Sequence, residues 1–109
     1  MTLFVMRCSD LLKSCQFYQA LGLALTAEQH KTGPEHYSAQ LGATVLELYP
    51  ATTPPTPTRL GFAIIDVAAA VAKARSLGAS IVRFDDTASP SALLRDPDGN
   101  TVELTTAPT

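Results

Sequence analysis

The sequence has little of several residue types on which particular protein classes depend. Among its 109 residues there is no tryptophan, aromatic residues make up 6%, and the only cysteines are Cys8 and Cys15. Two cysteines are too few for a disulfide scaffold, and these two lack the spacing of metal ligands. We therefore expect two buried, reduced thiols in a cytoplasmic protein, and a core in which aliphatic side chains and alanine dominate.

Basic clusters and long apolar runs are also missing. The eight lysines and arginines are scattered among ten acidic residues, for a net charge of −2, so we expect no nucleic-acid partner. The apolar start, residues 1–8, is far shorter than the roughly 20 residues of a membrane span, and no signal cleavage site follows it. The sequence has no glycine-rich phosphate loop and no serine nucleophile elbow. We therefore expect no membrane partner either.

The sequence does contain a hydrophobic fraction of 46%, which suits one domain spanning residues 1–109. Its one marked change in composition lies at residues 50–58, PATTPPTPT, where four of nine residues are proline. Because proline fixes φ and has no N–H to donate, this stretch suits neither a helix nor an inner strand. We interpret it as a connector between two halves.

The two halves repeat one pattern. Three residue types recur 56 positions apart: Asp10 and Asp66, Gly22 and Gly78, and Glu47 and Glu103. Between the aspartate and the glycine, apolar residues follow helical spacing, in the second half at Val67, Ala70, Val71, Ala74 and Leu77. The aspartate caps the first turn of a helix, and a glycine in the left-handed conformation ends it. Each half therefore contains one predicted helix.

Short apolar runs on both sides of each helix predict strands. They lie at residues 3–8, 23–28, 36–41 and 44–49, then at 60–65, 80–84, 91–95 and 101–105. The segment DPDGN before the last run is a turn, since proline fixes φ and glycine permits positive φ. The predicted fold class is α+β. Module 1 (residues 1–49) and module 2 (59–106) each consist of one β-α-β-β-β unit, and the connector (50–58) joins them.

This duplicated plan resembles the vicinal oxygen chelate superfamily, which includes glyoxalase I, bleomycin resistance proteins and extradiol dioxygenases. The resemblance covers essentially the whole chain and rests on Asp10, Phe17-Tyr18, Leu21-Gly22, Glu47-Leu48, DPDGN and Val102-Glu103-Leu104. It implies that the strands of both modules curl into a cup-shaped mixed sheet, with the helices outside and the functional pocket in the concave face.

Glu47 and Glu103 are the first candidate site residues. Strand alternation places each opposite its apolar neighbours, so both point into the cup if those neighbours pack under the helices. The resemblance implies that metalloenzymes of the superfamily hold a divalent ion there, with His or Gln donors from the first strand of each module. Counting back from the capping aspartates gives Leu3 and Leu60 instead, and leucine cannot ligate a metal. The sequence thus favours no metal, with Glu47 and Glu103 as the ligands in the alternative case.

Three interpretations of these glutamates remain open. They are metal ligands with an unforeseen third donor, or cup-lining acids that hydrogen-bond an organic molecule, or structural carboxylates that are paired with an arginine or solvated at a strand edge. The arginine candidates are Arg7, Arg59 and Arg95. A buried carboxylate needs some partner, because an unpaired charge is costly to bury.

Other polar residues complete the candidate set. Tyr49 shares a strand face with Glu47 and suits a planar ligand. His36 opens a strand and could serve as an acid or base, although a partly exposed histidine at a strand end is the simpler interpretation. His30 is expected to be a solvated loop residue, whereas Phe17 and Tyr18 are expected in the core.

The leading hypothesis is a metal-free small-molecule-binding protein resembling bleomycin resistance proteins. It would sequester an aromatic or amphiphilic compound, as in antibiotic resistance, through Glu47, Tyr49, Glu103 and His36. The alternative is a metal-dependent glyoxalase-like lyase or dioxygenase that uses Glu47 and Glu103. A homodimer is also expected, because two small modules leave apolar sheet edges exposed.

Overall fold

The computed structural model describes residues 1–108 of the chain. It contains two helices and eight strands in the predicted β-α-β-β-β order, so the α+β fold class is confirmed. Their bounds are β1 Leu3–Cys8, α1 Leu11–Ala20, β2 Thr26–Glu28, β3 His36–Leu41, β4 Thr44–Pro50, β5 Arg59–Ile64, α2 Val67–Ser76, β6 Ser80–Asp85, β7 Ser91–Arg95 and β8 Thr101–Thr106. Within residues 1–108, no helix is long and apolar enough to cross a bilayer.

The duplication seen in the sequence is a duplication of structure. Strand β5 and helix α2 lie 56 positions after β1 and α1, residue for residue. The strand orders are β1-β4-β3-β2 and β5-β8-β7-β6, and in each sheet the first and last strands of the module pair in parallel. The two sheets are open and separate, which leaves β1 and β5 as free edges.

Each helix begins and ends as its sequence predicts. The Asp10 carboxylate accepts a hydrogen bond from Lys13 N at 3.1 Å, and Asp66 accepts one from Ala69 N at 2.9 Å. Gly22 follows α1 at a φ of 103°, a conformation that side chains with a Cβ rarely adopt. These caps fix the length of each helix and so the point at which the chain returns to its sheet.

Two details differ from the predictions by more than the one-residue shifts at the ends of β4, β5, β6 and β8. Strand β2 begins at Thr26 rather than at residue 23, because Leu23 N donates to Tyr18 O and thereby extends the end of α1. Leu77 is 48% exposed although it continues the apolar stripe of α2, since it lies beyond the last helical residue. The other members of that stripe are buried.

The core lies between each helix and one face of its sheet. Phe17 and Tyr18 are buried as predicted, and Leu46 and Leu48 of β4 pack beneath α1. Cys8 and Cys15 are free and buried, which confirms the expectation of buried, unpaired thiols. Burial raises the pKa of Cys8 to about 11, because a thiolate loses its hydration there.

A hydrogen-bonded contact between the modules is centred on the DPDGN turn, residues 96–100. Its buried Asp96 carboxylate accepts four hydrogen bonds: from Tyr18 Oη at 2.6 Å, Asn100 Nδ2 at 2.7 Å, and the backbone N–H groups of Asp98 and Asn100 at 2.9 Å each. Asn100 Oδ1 in turn accepts from Thr58 N at 2.7 Å. Tyr18 of α1 in module 1 is thereby hydrogen-bonded to a turn of module 2, and hydrogen-bond donors compensate the buried charge of Asp96.

Candidate functional site

A row of four side chains crosses the face of module 1 that points away from its helix, called the open face here. Strand registers align Arg7 with Tyr49 and His36 with Glu28. The rings of His36 and Tyr49 stack with centroids 4.2 Å apart and planes 8° apart, and the Arg7 guanidinium lies 5.0 Å from the Tyr49 ring centroid. This module 1 row thus presents a cation, two stacked rings and a carboxylate side by side.

His36 is the most buried member of this row. Its side chain is 1% exposed, so the expectation of a partly exposed histidine is wrong. The ring is covered because it lies between Tyr49 on one face and His30, whose ring centroid is 5.2 Å away. Nδ1–H donates to the carbonyl oxygen of Pro34 at 3.2 Å, which fixes the ring in one orientation.

Two carboxylates face the other ring nitrogen of His36. Glu28 Oε2 lies 3.5 Å and Glu47 Oε2 3.6 Å from His36 Nε2, yet within residues 1–108 that nitrogen has no hydrogen-bond partner. His30 is mostly exposed, as expected of a loop residue, but its Nε2 also lies 3.4 Å from Glu28 Oε2. The structure therefore brings His36, Tyr49 and Glu47 together, and adds His30 and Glu28 to them.

Glu103 lies apart from this group. It is on the open face of module 2, opposite the buried Val102 and Leu104, at the position equivalent to Glu47. Arg59 Nη2 donates a hydrogen bond to Glu103 Oε2 at 2.6 Å, which matches the arginine-paired interpretation. Glu47 faces His36 in one sheet and Glu103 faces Arg59 in the other. Within residues 1–108, the two glutamates therefore have no partner in common.

The donors for a metal between Glu47 and Glu103 are also missing from the first strands. On β1 the open-face residues are Leu3, Val5 and Arg7, and on β5 they are Arg59, Gly61 and Ala63. Leu60 pairs with Val102 and shares its core face. Leucine, valine, glycine and alanine offer no side-chain donor, and arginine stays protonated. These residues do not fit a divalent ion shared by Glu47 and Glu103.

A separate cleft of about 960 Å³ opens between the modules. It is lined mainly by apolar side chains of both modules, including Phe4, Leu46, Leu60, Phe62 and Ile64. None of the predicted site residues lines it, because Glu47, Tyr49, Glu103 and His36 lie on the opposite faces of their sheets. The cleft is large enough for a small organic molecule and offers it an apolar wall.

Comparison with known proteins places the chain in a family. The sequence model of the Glyoxalase/Bleomycin resistance protein/Dioxygenase superfamily matches residues 2–104. The chain belongs to this superfamily. The resemblance drawn from its repeats and motifs is thereby confirmed over nearly the whole length. Among curated proteins, no significant match is found.

Solved structures of this superfamily's fold superpose on the whole chain. TnmS3, an antibiotic binding protein from Streptomyces sp. CB03234, is 29% identical with a TM-score of 0.72, over 99% of this chain and 95% of that one. Oxidase ChaP-H1 is 18% identical with a TM-score of 0.77, over 99% and 95%. Lactoylglutathione lyase from Agrobacterium tumefaciens is 20% identical with a TM-score of 0.65, over 98% and 92%. The last two similarities establish the fold alone.

Sequence reasoning missed Glu28 and gave Arg7 only an ion-pairing role. Glu28 precedes His36 by eight positions, across a loop whose length does not fix the register of the two strands. The signal lies in the antiparallel pairing, because Glu28 and His36 are directly opposite one another and share a face. Without that register, Glu28 is one more acidic residue near a polar loop.

Proposed function

We propose that this superfamily member binds a small aromatic or amphiphilic molecule on the open face of module 1 and sequesters it, in the manner of a bleomycin resistance protein. The observation that carries the proposal is the stack of His36 on Tyr49 with Arg7 beside it. A planar ligand contacts the ring edges of this stack in an edge-to-face arrangement, and Arg7 attracts its electron-rich face. The 29% identical antibiotic binding protein supports the same class of ligand.

In this proposal the polar residues orient the ligand. Glu47 is 19% exposed and adjoins the ring of His36, so its carboxylate accepts hydrogen bonds from ligand hydroxyl or amine groups at the edge of the stack. Glu103 is paired with Arg59 on module 2, so it provides an acceptor only for a ligand that also reaches the open face of that module. Binding then depends on side chains of the chain rather than on a metal shared by the two glutamates.

The test is a screen of aromatic natural products by native mass spectrometry, followed by titration of each hit. Tyr49→Thr introduces the residue that module 2 carries at the equivalent position, Thr105, and should weaken binding about tenfold, the roughly 1.4 kcal/mol of one lost stacking contact. Thr105→Ala is the matched control and should leave affinity within about twofold. Equal affinity of the Tyr49→Thr variant and the unmodified chain contradicts the proposal.

The alternative function is a metal-dependent glyoxalase-like lyase or dioxygenase. Its support is the superfamily membership and the likeness of fold to a lyase and an oxidase. Metal analysis after refolding with Ni, Co, Mn, Fe or Zn, repeated with Glu47→Ala and Glu103→Ala, tests it. Turnover of a vicinal-oxygen substrate that is lost in both variants would favour the enzyme over the binding protein.

The proposal includes a homodimer. Strands β1 and β5 are free edges, and Leu3 and Val5 on β1 expose 51% and 36% of their surface. A second copy covers such apolar edges. Sedimentation velocity at micromolar concentration should give twice the chain mass of 11.5 kDa, and a monomer there would contradict the proposal.

A further inference from the structure

We infer that module 1 carries a divalent transition-metal site formed by Glu28, His30 and His36, on the hairpin of strands β2 and β3. One ligand atom from each of these residues lies within 4.8 Å of the others. The inference goes beyond the proposed function, which needs no metal. It also differs from the metal position that pairs Glu47 with Glu103, because its ligands all come from one module.

The distances suit a tetrahedral ion. Glu28 Oε2 lies 3.4 Å from His30 Nε2 and 3.5 Å from His36 Nε2. A tetrahedral zinc ion with bonds of about 2.0–2.1 Å separates its ligand atoms by about 3.3–3.4 Å. An ion fits between these atoms once the ligand atoms of His30 and His36, which lie within 4.8 Å of each other, approach to that separation. Glu47 Oε2 lies 3.6 Å from His36 Nε2 but outside the group of three, so its carboxylate is suited to hold a metal-bound water rather than to ligate the ion.

The chemistry of His36 points to a cation. Because its Nδ1–H donates to the Pro34 carbonyl oxygen, the neutral ring presents the lone pair of Nε2 on its other side. That nitrogen is buried, has no hydrogen-bond partner among residues 1–108, and faces the carboxylates of Glu28 and Glu47. A divalent ion bound at Nε2 would place a positive charge next to both carboxylates. A backbone hydrogen bond on the distal nitrogen is also how metal-binding histidines are commonly oriented.

Module 2 supplies an internal comparison. Its open-face carboxylates are already paired with guanidinium groups: Glu103 with Arg59 at 2.6 Å and Asp85 with Arg83 at 2.9 Å. In module 1, Glu28 and Glu47 face histidines instead. The carboxylates of module 2 are thus already neutralised by arginines, whereas those of module 1 face nitrogen atoms that can ligate a metal ion.

The donor set selects the class of ion. Two imidazoles with one or two carboxylates suit Zn²⁺, Co²⁺ or Ni²⁺ better than Ca²⁺ or Mg²⁺, which prefer oxygen ligands. His30 and Glu28 are 74% and 37% exposed, so an ion can enter from solvent and can keep an open position.

The experiment titrates the tag-free chain with Co²⁺ and follows the visible d–d absorption, then displaces Co²⁺ with Zn²⁺. We expect one ion per chain and an absorption band typical of four or five ligands including imidazole. Glu28→Gln and His30→Gln should each weaken binding at least about tenfold. The control Glu35→Gln removes an exposed carboxylate next to His36 and should leave affinity within about twofold.

A further variant separates this site from the one between the two modules. Glu103→Gln should leave Co²⁺ affinity unchanged here, and should abolish it if Glu47 and Glu103 share the ion. Far-UV circular dichroism confirms that each variant is folded. Because Glu28 and His30 are surface residues, they keep the test decisive even if His36→Gln fails to fold. Absence of stoichiometric Co²⁺ or Zn²⁺ binding, or equal affinity in the Glu28→Gln and His30→Gln variants, would overturn the inference. Neither result bears on ligand stacking at Tyr49.

Discussion

At equivalent positions across their open faces, module 1 carries Arg7, Tyr49, His36 and Glu28, and module 2 carries Ala63, Thr105, Ser91 and Asp85. The backbones at these positions pair in the same way, and the core faces behind them are apolar in both modules. Packing against a helix constrains the core face of a sheet, because a change of even one methylene there alters the stability of the fold. The open face has no such constraint, so its polar side chains differ between the two modules.

The helices show a second difference between the modules. Tyr18 of α1 corresponds to Ala74 of α2, 56 positions later, and both are fully buried. The tyrosine reaches across to Asp96 of module 2, whereas an alanine cannot reach back to module 1. The contact that joins the modules is therefore asymmetric, and it depends on a buried polar network rather than on a repeated apolar one.

The largest effect is expected from removing the carboxylate of Asp96, which links the two modules through Tyr18. Asp96→Ala leaves the hydroxyl of Tyr18 and the side-chain amide of Asn100 buried without their acceptor, and we expect a loss of about 3 kcal/mol in the free energy of unfolding. Urea denaturation followed by circular dichroism measures it. The exposed Asp86→Ala serves as control and should change stability by less than about 0.5 kcal/mol. Equal stability of both variants would contradict the role of this network.

Alkaline pH should lower the free energy of unfolding through buried groups near Asp96. Burial raises the pKa of Cys8 from 9.0 to about 11, and burial with the nearby Asp96 carboxylate raises the pKa of Tyr18. Groups whose pKa is higher in the folded state stabilise it below their unfolded pKa and lose that effect as pH rises through the folded value. We expect about 2 kcal/mol of stability to disappear between pH 9 and pH 11. Urea midpoints across that range test it, and Cys8→Ala should flatten the decline.

A smaller effect distinguishes the two equivalent glutamates. Glu47→Gln places an amide beside His36 Nε2, where it can donate a hydrogen bond, so stability in the presence of a metal chelator should rise by about 1 kcal/mol. Glu103→Gln weakens an ion pair whose side chains are 43% and 64% exposed, and should cost at most about 0.5 kcal/mol. Thermal unfolding of both variants in the presence of EDTA shows whether each substitution raises or lowers the stability. A stability loss in both would mean that Glu47 is paired like Glu103.

Much of the fold followed from local patterns. The capping aspartates, the glycines at positive φ and the spacing of apolar residues predicted both helices, and strand alternation predicted that Glu47 and Glu103 point away from the helices. These features depend on neighbours within a few positions along the chain, which the sequence displays directly. The offset of 56 residues then predicted the second module from the first.

The composition of the site did not follow in the same way. His36 faces Glu28 because of the register between two strands joined by a long loop. Arg7 lies beside Tyr49 because β1 and β4, which are separated in sequence by a helix and two strands, pair in parallel. The burial of His36 and the role of Asp96 likewise come from residues distant in sequence. The helices and strands, the faces they bury and the duplication could be predicted because local geometry sets them. Which polar side chains meet could not be predicted, because contacts between strands depend on the packing of the whole domain.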